Sequence, residues 1–294
     1  MSIVAPHDSS TRRAARSALG GRTGPWRRIQ PVVVLLSVLL LIAMPLWIIV
    51  VTAGKSQAEA LQPDLSLPSQ WQLFQNFGEV WRDGNIPTAF GGSLLIMVPS
   101  VFLVLVLGSL ASWVLARRRS RLSSVLYSLA ISGIVLPPAV VTIVLLLRQL
   151  GLAGTVVGMI GVYVGMYMST VVFFVTGFIR TIPNELEEAA RVDGASPMRV
   201  FRTVILPLLV PVLSTATILI CLYIWNDVFY AFFVVGGRVE TLPLNLYDVA
   251  SAGLYLNNWH LIFAYVVVMS LPLLITFIVA QRKIISGITS GAVK

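Results

Sequence analysis

The sequence predicts an all-α polytopic membrane protein with six transmembrane helices, and three observations predict it. Of 294 residues 57% are hydrophobic and only 11% charged, with a mean hydropathy of +0.88, whereas a soluble domain carries charge on roughly a quarter of its residues. Six stretches (29–54, 84–116, 122–147, 149–179, 203–226 and 249–281) contain no Asp, Glu, Lys or Arg. Each is long enough for the about 20 apolar residues that cross ~30 Å of hydrocarbon. The basic residues, 18 Arg and 3 Lys, collect on alternate connections, which orients the chain.

Residues 1–30, rich in Ser, Arg and Gly, read as a disordered basic tail. The first span runs from about Val32 to Ala53. A cleaved signal peptide is the competing reading, but its apolar region would be only about 7–15 residues long; an uncleaved helix is favoured. The first outer loop, about Gly54 to Ile86, places Trp71, Phe74, Phe77 and Trp81 where one helical face could rest on the membrane surface. The remaining spans are expected near Pro87–Ala116, Ser124–Leu147, Thr155–Ile179, Pro207–Phe233 and Leu261–Ala280, followed by a tail at 282–294.

Six spans put both termini on one side. With the N-terminus cytoplasmic, 17 of the 21 basic residues are inside, leaving only Lys55, Arg82, Arg148 and Arg238 outside. That asymmetry accounts for the net charge of +9 as topology, so nucleic acid is excluded as a partner. The expected setting is a bacterial cytoplasmic membrane.

Enzymatic and metal chemistry find no foothold. Gly54-Lys55-Ser56 resembles the end of a phosphate-binding loop, but Ile49 stands where that motif needs another glycine. The two histidines, His7 and His260, have no second ligand nearby, and Cys221 is alone, so neither a metal shell nor a disulfide is expected. Gly154, Gly158, Gly161 and Gly165 share one helical face and suit close helix packing. Pro137-Pro138 within the third span suits a kink.

The informative segment is the long inner loop Arg180–Leu206, RTIPNELEEAARVDGASPMRVFRTVIL. It reads as two short helices around a corner. Glu185, Glu187 and Glu188 complement the first helix's N-terminal dipole, Glu187 can pair with Arg191 four residues on, Asp193-Gly194 supplies a turn, and Ser196-Pro197 starts the second helix. Such an elbow suits insertion into a groove on another protein; on the residues alone, a connector lying on the surface fits equally well.

Glu188-Ala189-Ala190, Gly194 four residues later and Leu206-Pro207 resemble the EAA loop of permease subunits of ATP-binding-cassette (ABC) importers, with Val204 at a position usually held by Ile. The stretches 136–155, 181–196, WNDVFY (225–230), TLPLNL (241–246) and QRKIISGITSGAVK (281–294) are similar to carbohydrate importers of the maltose and glycerol-phosphate type, and to the smaller of their two permeases. Gly92 departs from the family, which usually has Asn there.

The resemblance implies a type I ABC importer transmembrane domain: core at about 85–281, coupling loop 180–206, within a transmembrane domain 31–281. It implies that Glu188, Ala189, Ala190, Asp193, Gly194, Ala195, Leu206 and Pro207 serve coupling to a cytoplasmic ATPase dimer. Gln281, Arg282, Gly291 and Lys294 would contact the same ATPase, although a basic tail equally suits anionic lipid. Further implied partners are a second permease subunit, forming a heterodimer, and an extracytoplasmic sugar-binding protein. The chain itself would bind no cofactor and catalyse nothing, with ATP and Mg held by the ATPase. Trp225, Asn226, Asp227 and Tyr230 are the candidate substrate pathway, since an ionisable residue within a span marks function; an outer-interface position for Asp227 is the alternative. Rival readings are an importer of peptide, amino acid or polyamine, and a stand-alone channel or carrier.

Overall fold

The computed structural model describes residues 26–118, 120–136, 138–251 and 258–292, with side chains from Ile29 to Ile278. The first helix is α1 (Trp26–Val38), continued through a π turn (Leu39–Ala43) into α2 (Met44–Ala53). It starts inside the segment expected to be tail; residues 1–25 of that segment lie outside the described residues. Its apolar side chains, among them Leu35, Leu40 and Leu41, are exposed on all sides. Only its end, Val51–Ala53, is buried.

The outer loop folds back on that end. A short helix α3 (Gln57–Ala60) starts at Ser56, which exchanges capping-box bonds with Glu59, and an amphipathic helix α4 (Leu73–Asp83) follows. Phe74 and Trp81, two turns apart on α4, are both exposed, as an interfacial anchor requires, whereas Phe77 packs against the core and Trp71 precedes the helix, so the four aromatic residues do not share one face. The Trp71 ring covers Gly54, where a Cβ would stand 2.5 Å from Trp71 Cε3. Lys55 is buried and pairs with Asp64, with Ser66 Oγ at 3.1 Å. Its role is therefore to staple the loop, and the resemblance to a phosphate loop has no structural counterpart.

The bundle centre is α5 (Ile86–Arg117) against α8 (Val156–Ile179), with α11 (Leu206–Trp225) lying on both. In lipid, helices gain little from leaving one apolar solvent for another, so close packing has to supply the attraction. Gly108 allows it: a Cβ there would lie 2.6 Å from Val171 Cγ1. A second core joins the start of α5 to α13 (Leu242–Ser251) and α14 (Trp259–Ala292).

Three expected spans change on inspection. The third is two helices, α6 (Arg121–Ser132) and α7 (Val140–Gln149). Turn bonds from the Val135 and Leu136 amides to the Ser132 carbonyl close α6, and neither proline at 137–138 offers an N–H to carry the ladder on. The chain is held there against α8, since a Cβ on Gly133 would lie 2.3 Å from Ser169 Oγ. Five continuous helices among the described residues are thus long and apolar enough to cross a membrane, with the α6–α7 pair in place of the sixth. The fifth span stops at Trp225, eight residues before Phe233, because Asp227 starts the separate helix α12 (Phe229–Val234). The last span continues as helix to Ala292, through the segment assigned to a tail.

Of the four glycines expected on one face of α8, Gly154 precedes the helix, at φ +75° against Arg238, so only three lie on it. Gly158 lies against the Leu152 carbonyl, where a Cβ would be 2.2 Å away, but Gly161 and Gly165 have nothing within 4 Å of theirs. They border an apolar groove of about 420 Å³ shared with Leu136, Ile143 and Leu146.

Candidate functional site

The elbow consists of α9 (Glu185–Val192) and α10 (Pro197–Val200), joined to α11 by a π turn (Phe201–Ile205). Its corner is a Schellman closure: Ala195 N–H reaches the Ala190 carbonyl at 3.0 Å and Gly194 N–H that of Arg191 at 3.0 Å. This needs a left-handed residue after the helix, and Gly194 supplies it at φ +80°. Pro197 begins α10, while the Ser196 side chain makes no cap bond. The π turn closes where the Leu206 N–H bonds the Phe201 carbonyl. Pro207, with no N–H to give, follows at the start of α11.

One side of α9 is anchored and the other is free. Glu187, 2% exposed, receives Arg117 Nε–H at 2.6 Å, Trp113 Nε1–H at 3.1 Å and Arg191 at 3.4 Å. Arg117 also donates to the Ile182 carbonyl at 3.0 Å, so one guanidinium spans the loop before α9 and the carboxylate within it. Sequence spacing pointed to Arg191; the shorter bond comes from the end of α5. On the opposite side Glu188, Ala189, Val192, Asp193 and Gly194 are exposed, Val192 by 88%. A groove of about 540 Å³ lies alongside, bordered by Arg117, Glu188, Arg191 and Pro197. An apolar residue between two carboxylates, on a helix bolted to the bundle from behind, has the chemistry to complement a surface with basic groups around an apolar notch.

At the other end of the bundle lie the four candidate pathway residues. Asp227 receives Tyr163 O–H at 2.7 Å and the backbone N–H groups of Tyr230 and Ala231 at 3.2 and 3.0 Å, so it caps α12 and ties it to α8. Asn226 is exposed, its amide bonded to the Leu222 carbonyl. Tyr230 is half-buried beside it. Trp225 turns the other way: it is buried, donates to the Met269 carbonyl at 3.1 Å and meets Phe90 edge to face, which commits it to packing between α5, α11 and α14. Sequence reasoning passed over Tyr163, Tyr167 and Tyr223, although the four-residue step Tyr163–Tyr167 puts that pair on one helical face.

Of the candidate tail contacts, Gln281, Arg282 and Gly291 fall on the final helix α14 as backbone only, and Lys294 lies outside the described residues.

Gly92 has a local explanation. The chain before α13 crosses directly over α5 there, so that a Cβ on Gly92 would stand 1.9 Å from the Glu240 carbonyl oxygen. Ser93 Oγ accepts the Leu242 N–H at 2.9 Å, and Asn85 donates to Glu240 at 2.8 Å. Main chain occupies the space an asparagine would need.

Comparison with known proteins agrees with this architecture. Residues 105–289 match the family model described as binding-protein-dependent transport system inner membrane component. The chain is 35% identical over 263 residues to the melibiose/raffinose/stachyose import permease protein MelC of Bacillus subtilis (strain 168), covering 85% of this chain and 91% of that one. It is 31% identical to the diacetylchitobiose uptake system permease protein NgcG of Streptomyces coelicolor, covering 88% and 85%. Among solved structures, a bacterial ABC transporter involved in the import of the acidic polysaccharide alginate superposes with a TM-score of 0.75 at 24% identity, over 89% of this chain and 99% of that one.

Proposed function

Because this chain belongs to the family of binding-protein-dependent transport system inner membrane components, we propose that it is the membrane permease subunit of an ABC importer for a di- or oligosaccharide. The observation that carries the reading is the two-sided elbow. Glu187 binds it to α5, while Glu188, Val192 and Asp193 stand free. The free ridge, with Ala189, Ala190, Gly194 and Ala195 allowing close approach, enters a cleft on a cytoplasmic ATPase. The bond network behind it passes ATPase closure into α5, and the Leu206-Pro207 junction into α11. ATP and Mg belong to that ATPase; this subunit transports and does not hydrolyse.

On this reading the elbow end, which also carries Arg117, Arg118, Arg121, Arg199 and Arg202, is cytoplasmic, as are both termini, in a bacterial cytoplasmic membrane. The C-terminal segment with Gln281, Arg282, Gly291 and Lys294 reaches the same ATPase. The opposite end receives sugar from an extracytoplasmic binding protein, and the passage forms against a second permease in a heterodimer, with Asn226, Asp227 and Tyr230 at its polar mouth and Trp225 supporting them. The carbohydrate class is supported by the relatives' names.

The reading is tested by gentle solubilisation of the tagged chain, identification of co-purifying subunits, and ATP-driven uptake of radiolabelled melibiose, raffinose and trehalose by the reconstituted complex. An ATPase and a second permease in the eluate, with uptake abolished by Glu188→Lys, are the expected results. A homo-oligomer transporting without ATP overturns the proposal.

A further inference from the structure

Two helices place three tyrosine rings in one stack. Tyr163 and Tyr167 on α8 lie with centroids 6.0 Å apart at 28°, and Tyr223 on α11 continues the series at 5.7 Å and 7° from Tyr167. The stack runs from buried to open: Tyr163 is 2% exposed and Tyr223 53%. The stack reaches inward from the mouth: Tyr223 is two residues before the last residue of α11, while Tyr163 and Tyr167 come roughly 10 and 16 Å along α8 at 1.5 Å per residue.

A lipid face does not look like this. The exposed side of α5 presents Leu95, Val98, Phe102 and Val106, all without polar atoms. The tyrosine face presents phenol hydroxyls and a carboxylate, and the Tyr167 and Tyr223 hydroxyls have no hydrogen bond among the described residues. Polar groups at this depth mark a water-filled or ligand-bearing passage.

The chemistry of the face selects its occupant. A pyranose ring has an apolar C–H side that stacks on a flat aromatic ring and a rim of hydroxyls that bond phenols and carboxylates. Tyr167 and Tyr223 are nearly coplanar in orientation, so Tyr223's outward face is a platform whose tilt is set from within. Asp227 sets it: three of its roughly four acceptor sites are taken by Tyr163 O–H and the two α12 amides, which fixes the innermost ring.

Resting on the carbohydrate reading above, we infer that Tyr163, Tyr167 and Tyr223 form an aromatic slide for the passing sugar, with Tyr223 the ring that touches it and Asp227 the residue that holds the stack in register. Tyr223 is a binding residue; Asp227 and Tyr163 are positioning residues.

The test uses the whole complex in proteoliposomes, with radiolabelled melibiose, raffinose and trehalose as probes. Tyr223→Leu keeps apolar bulk and removes the platform; it is expected to cut the initial uptake rate roughly tenfold with the second permease still co-purifying. Tyr223→Phe, which restores the ring, is expected to recover most of that loss, and the control Phe102→Leu, on the apolar exposed side of α5, to have no effect. Wild-type uptake by Tyr223→Leu overturns the slide alone. A loss of uptake accompanied by loss of the second permease also overturns it, assigning the face to subunit contact. A wild-type complex that carries none of the three sugars overturns the carbohydrate reading and the slide together.

Discussion

Arg117 Nε–H donates to Glu187 Oε1 at 2.6 Å, closing a bond between the last residue of α5 and the third residue of α9. The carboxylate is buried and the guanidinium half-buried, with side-chain exposures of 3% and 17%, so the carboxylate has no water to fall back on. Glu187→Ala is expected to destabilise the purified protein by about 3 kcal/mol or more, the cost of removing one partner of a buried pair, read as a lower thermal midpoint. Arg191→Ala, which removes the exposed, 3.4 Å contact to the same carboxylate, is expected to cost less than about 1 kcal/mol. Equal effects would contradict the assignment of Arg117 as the anchor.

Gly194 separates backbone strain from bulk. It sits at φ +80° with nothing within 4 Å of a Cβ, so Gly194→Ala meets no clash and carries only the left-handed penalty of about 1–2 kcal/mol. Gly194→Asn, which tolerates that region, should cost less. Gly194→Trp adds bulk only on the open side of the corner, and on the proposed function is expected to abolish ATP-driven uptake while the isolated subunit melts close to the alanine variant.

At Gly92 and Gly91, neighbours in sequence give opposite outcomes. A Cβ on Gly92 meets the Glu240 carbonyl at 1.9 Å, whereas one on Gly91 meets nothing within 4 Å. Main chain cannot rotate aside as a side-chain tip can, so Gly92→Ala is expected to destabilise by at least about 1–3 kcal/mol, and Gly92→Asn by more. Gly91→Ala should leave the melting temperature unchanged or raise it. Thermal melting of the two alanine variants decides the matter.

The Lys55–Asp64 pair gives the outer loop an acid sensitivity. Hydrogen bonding to Lys55 and then to Ser66 lowers the Asp64 pKa from its ordinary 3.8 to about 2. The folded loop therefore binds that proton less readily than the unfolded one. The stabilisation is complete above about pH 4 and is lost as pH falls toward 2. Exchange of the Gln72 amide, whose bond to the Gly54 carbonyl closes the loop, should accelerate over that window. Asp64→Asn should bring the fast exchange to neutral pH, by leaving buried Lys55 without its counter-charge.

The sequence was most legible where one helix answers to one local pattern. Ile86–Arg117 and Val156–Ile179 follow from unbroken apolar runs, and the corner at Gly194 from an Asp-Gly pair. Counting charges failed at Pro137-Pro138, because a helix can end in apolar sequence without any charge to mark it. At Asp227 it succeeded, since the charge-free stretch 203–226 ends where α11 does; the error lay in extending the span to Phe233, past an Asp that starts α12 through amide bonds made three and four residues further on. Long-range partners were out of reach altogether. Arg117 lies 70 residues from Glu187 and Tyr163 lies 64 from Asp227, and no spacing rule connects them.

The π turn at Phe201–Ile205 sets an angular phase. It holds one more residue per turn than an α-helix, so the elbow meets α11 with its azimuth advanced by about 100°, one residue's rotation at 3.6 residues per turn. The side of α11 that faces Tyr167 and the side of α9 that holds Glu187 are thereby indexed to each other through five residues. Deleting one of them would turn α10 by about a quarter-turn around the α11 axis and so set the elbow against the Arg117–Glu187 bond that holds it to α5.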